Sequence, residues 1–145
     1  MMTINQVQIV YPMLAMLALT CVVMVAMLRE RTAEVKERGL AMRDIPSGSQ
    51  MSAVLQNTRA ADHYKNLFEM PVFFHALCLA LLATEMVGVG MVVAAWAYVA
   101  LRVAHAAIHL TYNRIKHRMR VFAASTTLLM VMWVVFALQL AQRGS

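Results

Sequence analysis

The chain has 145 residues, 61% of them hydrophobic and 14% charged, with a formal charge of +6. Water-soluble domains carry about 25% charged residues, so the composition excludes an ordinary soluble enzyme. The positive charge needs no nucleic-acid partner, because the basic residues flank apolar runs, where positive-inside bias and anionic membrane lipid place them.

A helix needs about 20 mostly apolar residues to cross a hydrocarbon core of roughly 30 Å, and the sequence holds four such runs. The first, from about Val7 to Leu28, has no charge, and Pro12 lies near its start, where a helix tolerates proline. It lacks the basic start and short apolar stretch of a secretory signal, so it reads as a permanent span. A long polar stretch follows, from Arg29 to Asn66. Its first part, Arg29 to Arg43, is rich in helix formers with opposite charges one turn apart, such as Glu34 and Arg38, and extends the first helix into water. Ile45, Pro46, Ser47, Gly48 and Ser49 then supply a turn. From Gln50 the helical pattern resumes and is expected to run unbroken into a second span, over about Leu67 to Met86. The third span, about Gly88 to Tyr112, is apolar except for Arg102, His105 and His109. The fourth, about Val121 to Ala141, is free of charge. The expected fold is all-α, a single membrane domain over 1–145 built as a four-helix bundle.

Four spans put both termini on one side, and the distribution of Lys and Arg decides which. The first loop holds Arg29, Arg31, Lys36, Arg38, Arg43, Arg59 and Lys65, and the loop between spans three and four holds Arg114, Lys116, Arg118 and Arg120. Opposite them stands Arg143. Both loops are therefore expected in the cytoplasm and both termini outside it. Cys21 and Cys78 fall inside spans and read as small apolar packing residues.

Two polar stripes approach the cytoplasmic boundary. On helix two Arg59, Asp62, Asn66, Glu69 and Phe73 follow helical spacing; on helix three Arg102, His105, His109 and Tyr112 do the same. A charge inside a span costs roughly 2.5–3.5 kcal/mol, so Glu69 and Arg102 need partners and are each other's obvious candidates. One reading is a pair that pins the bundle, and the other is a polar pocket open to the cytoplasm. His75 reads as a core histidine bonded across helices. His105 and His109, one turn apart, lack a third ligand, so no metal is expected.

At these stripes the sequence resembles the MAPEG family, the membrane-associated proteins of eicosanoid and glutathione metabolism. Asn66-Leu67-Phe68-Glu69-Met70-Pro71 resembles its helix-two motif, and Arg102-Val103-Ala104-His105 its helix-three motif. The surrounding stretches, Phe68 to Phe74 and His109 to Arg114, are similar to a bacterial branch without an assigned reaction, which implies a bacterial inner membrane. The resemblance extends over essentially the whole chain. It implies a left-handed four-helix bundle, a homotrimer, and glutathione as co-substrate bound between neighbouring subunits near the cytoplasmic face. Arg59, Asn66, Glu69, Arg102 and His105 are then the glutathione-binding residues, with Glu69 suited to the substrate amine. Arg114 or Arg118 is implied to stabilise the thiolate, and a nearby cation raises the nucleophilic fraction of a thiol at neutral pH.

Three positions depart from the family pattern: Asp62 stands where an arginine precedes the asparagine, Pro71 follows Glu69 by two residues, and His109 occupies the place of a tyrosine, with Tyr112 three places on. His109 or Tyr112 is the candidate replacement donor. Two functions follow as expectations. One is a glutathione-dependent transferase or peroxidase acting on lipophilic electrophiles from the bilayer. The alternative is a non-catalytic binder or scaffold holding an anionic or lipid ligand in the same pocket.

Overall fold

The computed structural model describes residues 4–40, 59–111 and 114–144. The expected turn at Ile45 to Ser49 and the side chains of Arg43 and Tyr112 lie outside them. Five helices are described: α1 (Ile4–Glu37), α2 (Arg59–Asn66), α3 (Met70–Ala83), α4 (Val89–Leu110) and α5 (Ile115–Gly144). Four segments are long and apolar enough to cross a membrane: α1, Tyr64–Ala83, α4 and Ile115–Arg143. The protein is all-helical, a multi-pass membrane bundle.

At 1.5 Å per residue α1 is about 51 Å long, well beyond a hydrocarbon core of roughly 30 Å. It starts early enough that Pro12 lies inside the helix rather than in its first turn. Transmembrane helices tolerate the missing backbone donor because neighbouring groups re-satisfy the freed carbonyl. Ile9, Met16 and Val23 are fully buried at seven-residue intervals, the seam spacing of a left-handed bundle. The helix stops before Arg43. Gly39, at φ 61°, takes the left-handed position just past its end, and the Gly39 and Leu40 amides bond back to the Lys36 and Val35 carbonyls at 3.3 and 3.1 Å. This pairing is a Schellman cap, for which glycine is the favoured residue.

The second span is not the continuous helix expected from Gln50. Residues Leu67 to Glu69 form a tight turn between α2 and α3. Their amides bond three residues back, to Tyr64, Lys65 and Asn66 at 3.1, 2.9 and 3.3 Å. Pro71 explains the break, since it cannot donate to the Leu67 carbonyl and its ring clashes there. It sits in the first turn of α3 instead, the helical position where proline is tolerated.

α4 packs against α1, α2 and α5, while α3 lies on α1 and α5. α3 reaches α4 through Phe74, whose ring stacks on Tyr98 with centroids 4.6 Å apart. Leu77, Leu81, Ala95 and Leu129 fill the core around that stack with no exposure. Cys78 is buried as expected, but Cys21 is exposed on α1. His75 bonds within its own helix rather than across: Nδ1 donates to the Pro71 carbonyl at 2.8 Å.

α3 ends in a second Schellman cap, with Glu85 and Met86 amides bonded to Leu82 and Leu81 carbonyls at 3.2 and 2.9 Å. Glu85 occupies the left-handed position, at φ 56°. A non-glycine residue there costs roughly 1–2 kcal/mol. Glu85→Gly is therefore expected to stabilise the protein by about 1 kcal/mol in detergent unfolding, and a lower melting temperature would contradict this account.

Candidate functional site

The buried stripe of α4 begins with Met91 and Ala95, continues through Tyr98, and ends in Arg102, His105 and His109. The helical spacing that makes the upper part apolar core thus carries three polar side chains inward at the basic end of the bundle. Arg102 is fully buried. Its Nε donates to the Tyr98 hydroxyl at 3.0 Å and its Nη1 to the Asn66 Oδ1 at 2.9 Å. The guanidinium also lies 5.4 Å from the ring centroids of both Tyr98 and Phe122, which face a cation favourably. Its Nη2 is buried and has no hydrogen-bond partner among the described residues.

Arg102 and Glu69 do not form the direct pair expected from sequence. Asn66 stands between them: it accepts from Arg102 and donates through Nδ2 to the Glu69 Oε2 at 3.3 Å. The reason is the break at Pro71, which ends the α2 stripe at Asn66. Glu69 and Phe73 are exposed, away from the cleft walls.

Beside Arg102 opens a cleft of about 490 Å³, lined by Asp62 and Asn66 from α2, His105 and His109 from α4, and Arg118, Met119, Phe122 and Ala123 from α5. Arg118, on α5, places its Nη1 3.3 Å from the Nε2 of His109 on α4. The His109 ring meets His105 edge-on at 6.0 Å, and His105 packs against Phe122 at 5.8 Å. The far end of the bundle is fastened separately, by Arg143 donating to the Thr84 carbonyl at 2.8 Å.

Of the residues singled out from sequence, Asn66, His105, His109 and Arg118 line one cleft, with Arg102 behind it. Glu69 reaches it through Asn66. Arg114 is exposed at the turn before α5 and is not part of the lining. Arg59 begins α2. Its side chain and that of Tyr112 lie outside the described residues.

Sequence reasoning missed Tyr98, Phe122, Met119 and Ala123. A signal existed for two of them. Tyr98 precedes Arg102 by one turn on the same stripe, and Arg118, Phe122, Ser125, Leu129, Met132 and Phe136 follow helical spacing along α5.

Chemically, the cleft combines a cationic wall at Arg118, a buried guanidinium with an unused donor, an acidic group at Asp62 and a neighbouring amide. Such a set suits a small ligand bearing carboxylates and an amine. The curated proteins and the solved structures yield no match to the chain. The model described as MAPEG family matches residues 9–138, from the first buried apolar residue of α1 to beyond the last core residue of α5. On that match over nearly the whole chain, the protein belongs to the MAPEG family.

Proposed function

We propose that the protein is a glutathione-dependent membrane enzyme that conjugates or reduces lipophilic electrophiles delivered from the bilayer. One observation carries the reading: Arg102, fully buried and with an Nη2 that has no hydrogen-bond partner among the described residues, backs an open cleft lined by Arg118. A buried cation is costly in a membrane and by default marks a functional site. An anionic ligand in the cleft would supply the missing partner.

On this reading Arg102 and Asn66 hold a glutathione carboxylate, with Glu69 orienting Asn66. Arg118 lies beside the thiol, which gives its proton to solvent. In conjugation the sulfur forms a bond to the electrophilic carbon, and the electron pair of the broken bond leaves with the displaced group. In peroxide reduction the sulfur attacks the O–O bond, releasing an alcohol, and a second glutathione displaces water from the sulfenic product to give the disulfide. A homotrimer in a bacterial inner membrane is the assembly that family membership favours. The arginine and lysine distribution supports the basic end in the cytoplasm and both termini outside.

Titrating glutathione while following thermal unfolding in detergent tests the proposal. Binding to the folded state raises the melting point by mass action, by about 2.7 kcal/mol of stabilisation at a hundredfold excess over the dissociation constant. No shift up to millimolar glutathione would sink it. Binding without turnover of any electrophile or peroxide would leave the cleft as a binding module.

A further inference from the structure

We infer that His109 is a positioning residue, which fixes the Arg118 guanidinium against the cleft, and not the hydrogen-bond donor to the reacting sulfur. The inference rests on the proposed function for the identity of the ligand, but its geometric basis does not.

Arginine carries only donors. The 3.3 Å contact between Arg118 Nη1 and His109 Nε2 therefore requires Nε2 to accept, with the ring proton on Nδ1. That Nδ1 is itself buried, and the ring as a whole is 6% exposed. Neither nitrogen is left to donate into the cleft: one accepts from Arg118 and the other is closed off from solvent. A tyrosine at this position could accept from an arginine and donate its own proton to a ligand at once. Histidine divides those functions between two ring nitrogens, and here the protonated one is buried.

The contact is also well placed to matter. His109 lies in the last turn of α4 and Arg118 in the first turns of α5. α4 ends with the Thr111 amide on the Ala107 carbonyl at 3.1 Å, and α5 begins with the Arg118 amide on the Arg114 carbonyl at 3.0 Å. An arginine side chain near a membrane end tends to extend toward water. Anchoring one N–H on a buried ring holds the guanidinium at the cleft. The charged groups near His109 are Arg118 from α5, Arg102 on its own helix and Asp62 on α2, the acidic group of the same cleft.

The experiment has two arms. In the ligand-free protein in detergent micelles, side-chain nitrogen NMR of His109 is expected to report an unprotonated Nε2 and a protonated Nδ1, and Arg118→Met should shift the Nε2 resonance. A protonated Nε2 would overturn the inference whatever glutathione does. In the second arm, thiolate absorbance of the glutathione complex is compared across His109→Gln and His109→Phe. Glutamine can offer an acceptor near the Nε2 position and should retain the signal. Phenylalanine keeps the ring volume without an acceptor and should lower the thiolate fraction roughly tenfold, the scale of one charge-assisted hydrogen bond. Equal loss in both variants would overturn the role of His109 as the acceptor that holds Arg118. Absence of glutathione binding to the parent protein would remove the proposed function and leave the NMR arm to decide this inference.

Discussion

Arg102→Met is expected to melt within about 1 kcal/mol of the parent protein while abolishing the glutathione-dependent shift. Relieving a charge within a span returns roughly 2.5–3.5 kcal/mol on insertion scales. Against this stand the bonds to Tyr98 within α4 and to Asn66 on α2, each taken at about 0.6 kcal/mol, the average for side-chain hydrogen bonds between helices in a membrane. The two ring contacts add roughly 0.5–2 kcal/mol each, rising with desolvation. Gains and losses nearly cancel, and methionine fills the space with an adaptable apolar chain. If Arg102 instead existed to pin the bundle, the same substitution would cost well over 3 kcal/mol, on the scale seen when a buried charge network is broken. Equilibrium unfolding in mixed detergent, run beside the glutathione titration, separates the two. A strongly destabilised variant would make Arg102 a structural residue and withdraw the main support for the ligand.

How much of this was legible beforehand differs between the fold and the site. The spans could be read because each is a long apolar run, and a bilayer leaves such a run few alternatives. The inward face of α4 could be read too, since Arg102, His105 and His109 share the periodicity of Ala95 and Tyr98. Local backbone chemistry was underused: Gly39 ends α1 and Pro71 splits the second span, and both residues are recognised helix breakers. The Glu69–Arg102 pair failed for that reason, because it assumed that Glu69 continued the stripe of Asn66. The contact between His109 and Arg118 was beyond sequence reasoning, since it depends on how α5 packs back against α4. Phe122 meets Arg102 through the same tertiary approach of α5 to α4.

Asp62 carries the other large expected effect, through the ammonium group of glutathione. Family resemblance directs that amine to Glu69, yet Glu69 is bonded to Asn66 and does not line the cleft, whereas Asp62 lines it together with Arg118 and the histidines. With an acid and a cation in its lining, the cleft favours a ligand that carries both an ammonium and carboxylates. N-acetylglutathione keeps the thiol and both carboxylates but loses the positive charge. The parent protein is expected to bind it more weakly than glutathione by roughly tenfold to a hundredfold, the range for a hydrogen bond between charged partners. Asp62→Asn should erase that preference by weakening glutathione alone, leaving N-acetylglutathione nearly unchanged. Asp62 and the amine are then coupled as in a double-mutant cycle, where the two losses are not additive because they remove one interaction. Equal weakening of both ligands would assign Asp62 to the shape of α2 instead. If Glu69→Gln erased the preference while Asp62→Asn did not, the amine would belong to Glu69 after all, and the ligand would have to lie on the Asn66 side of the cleft.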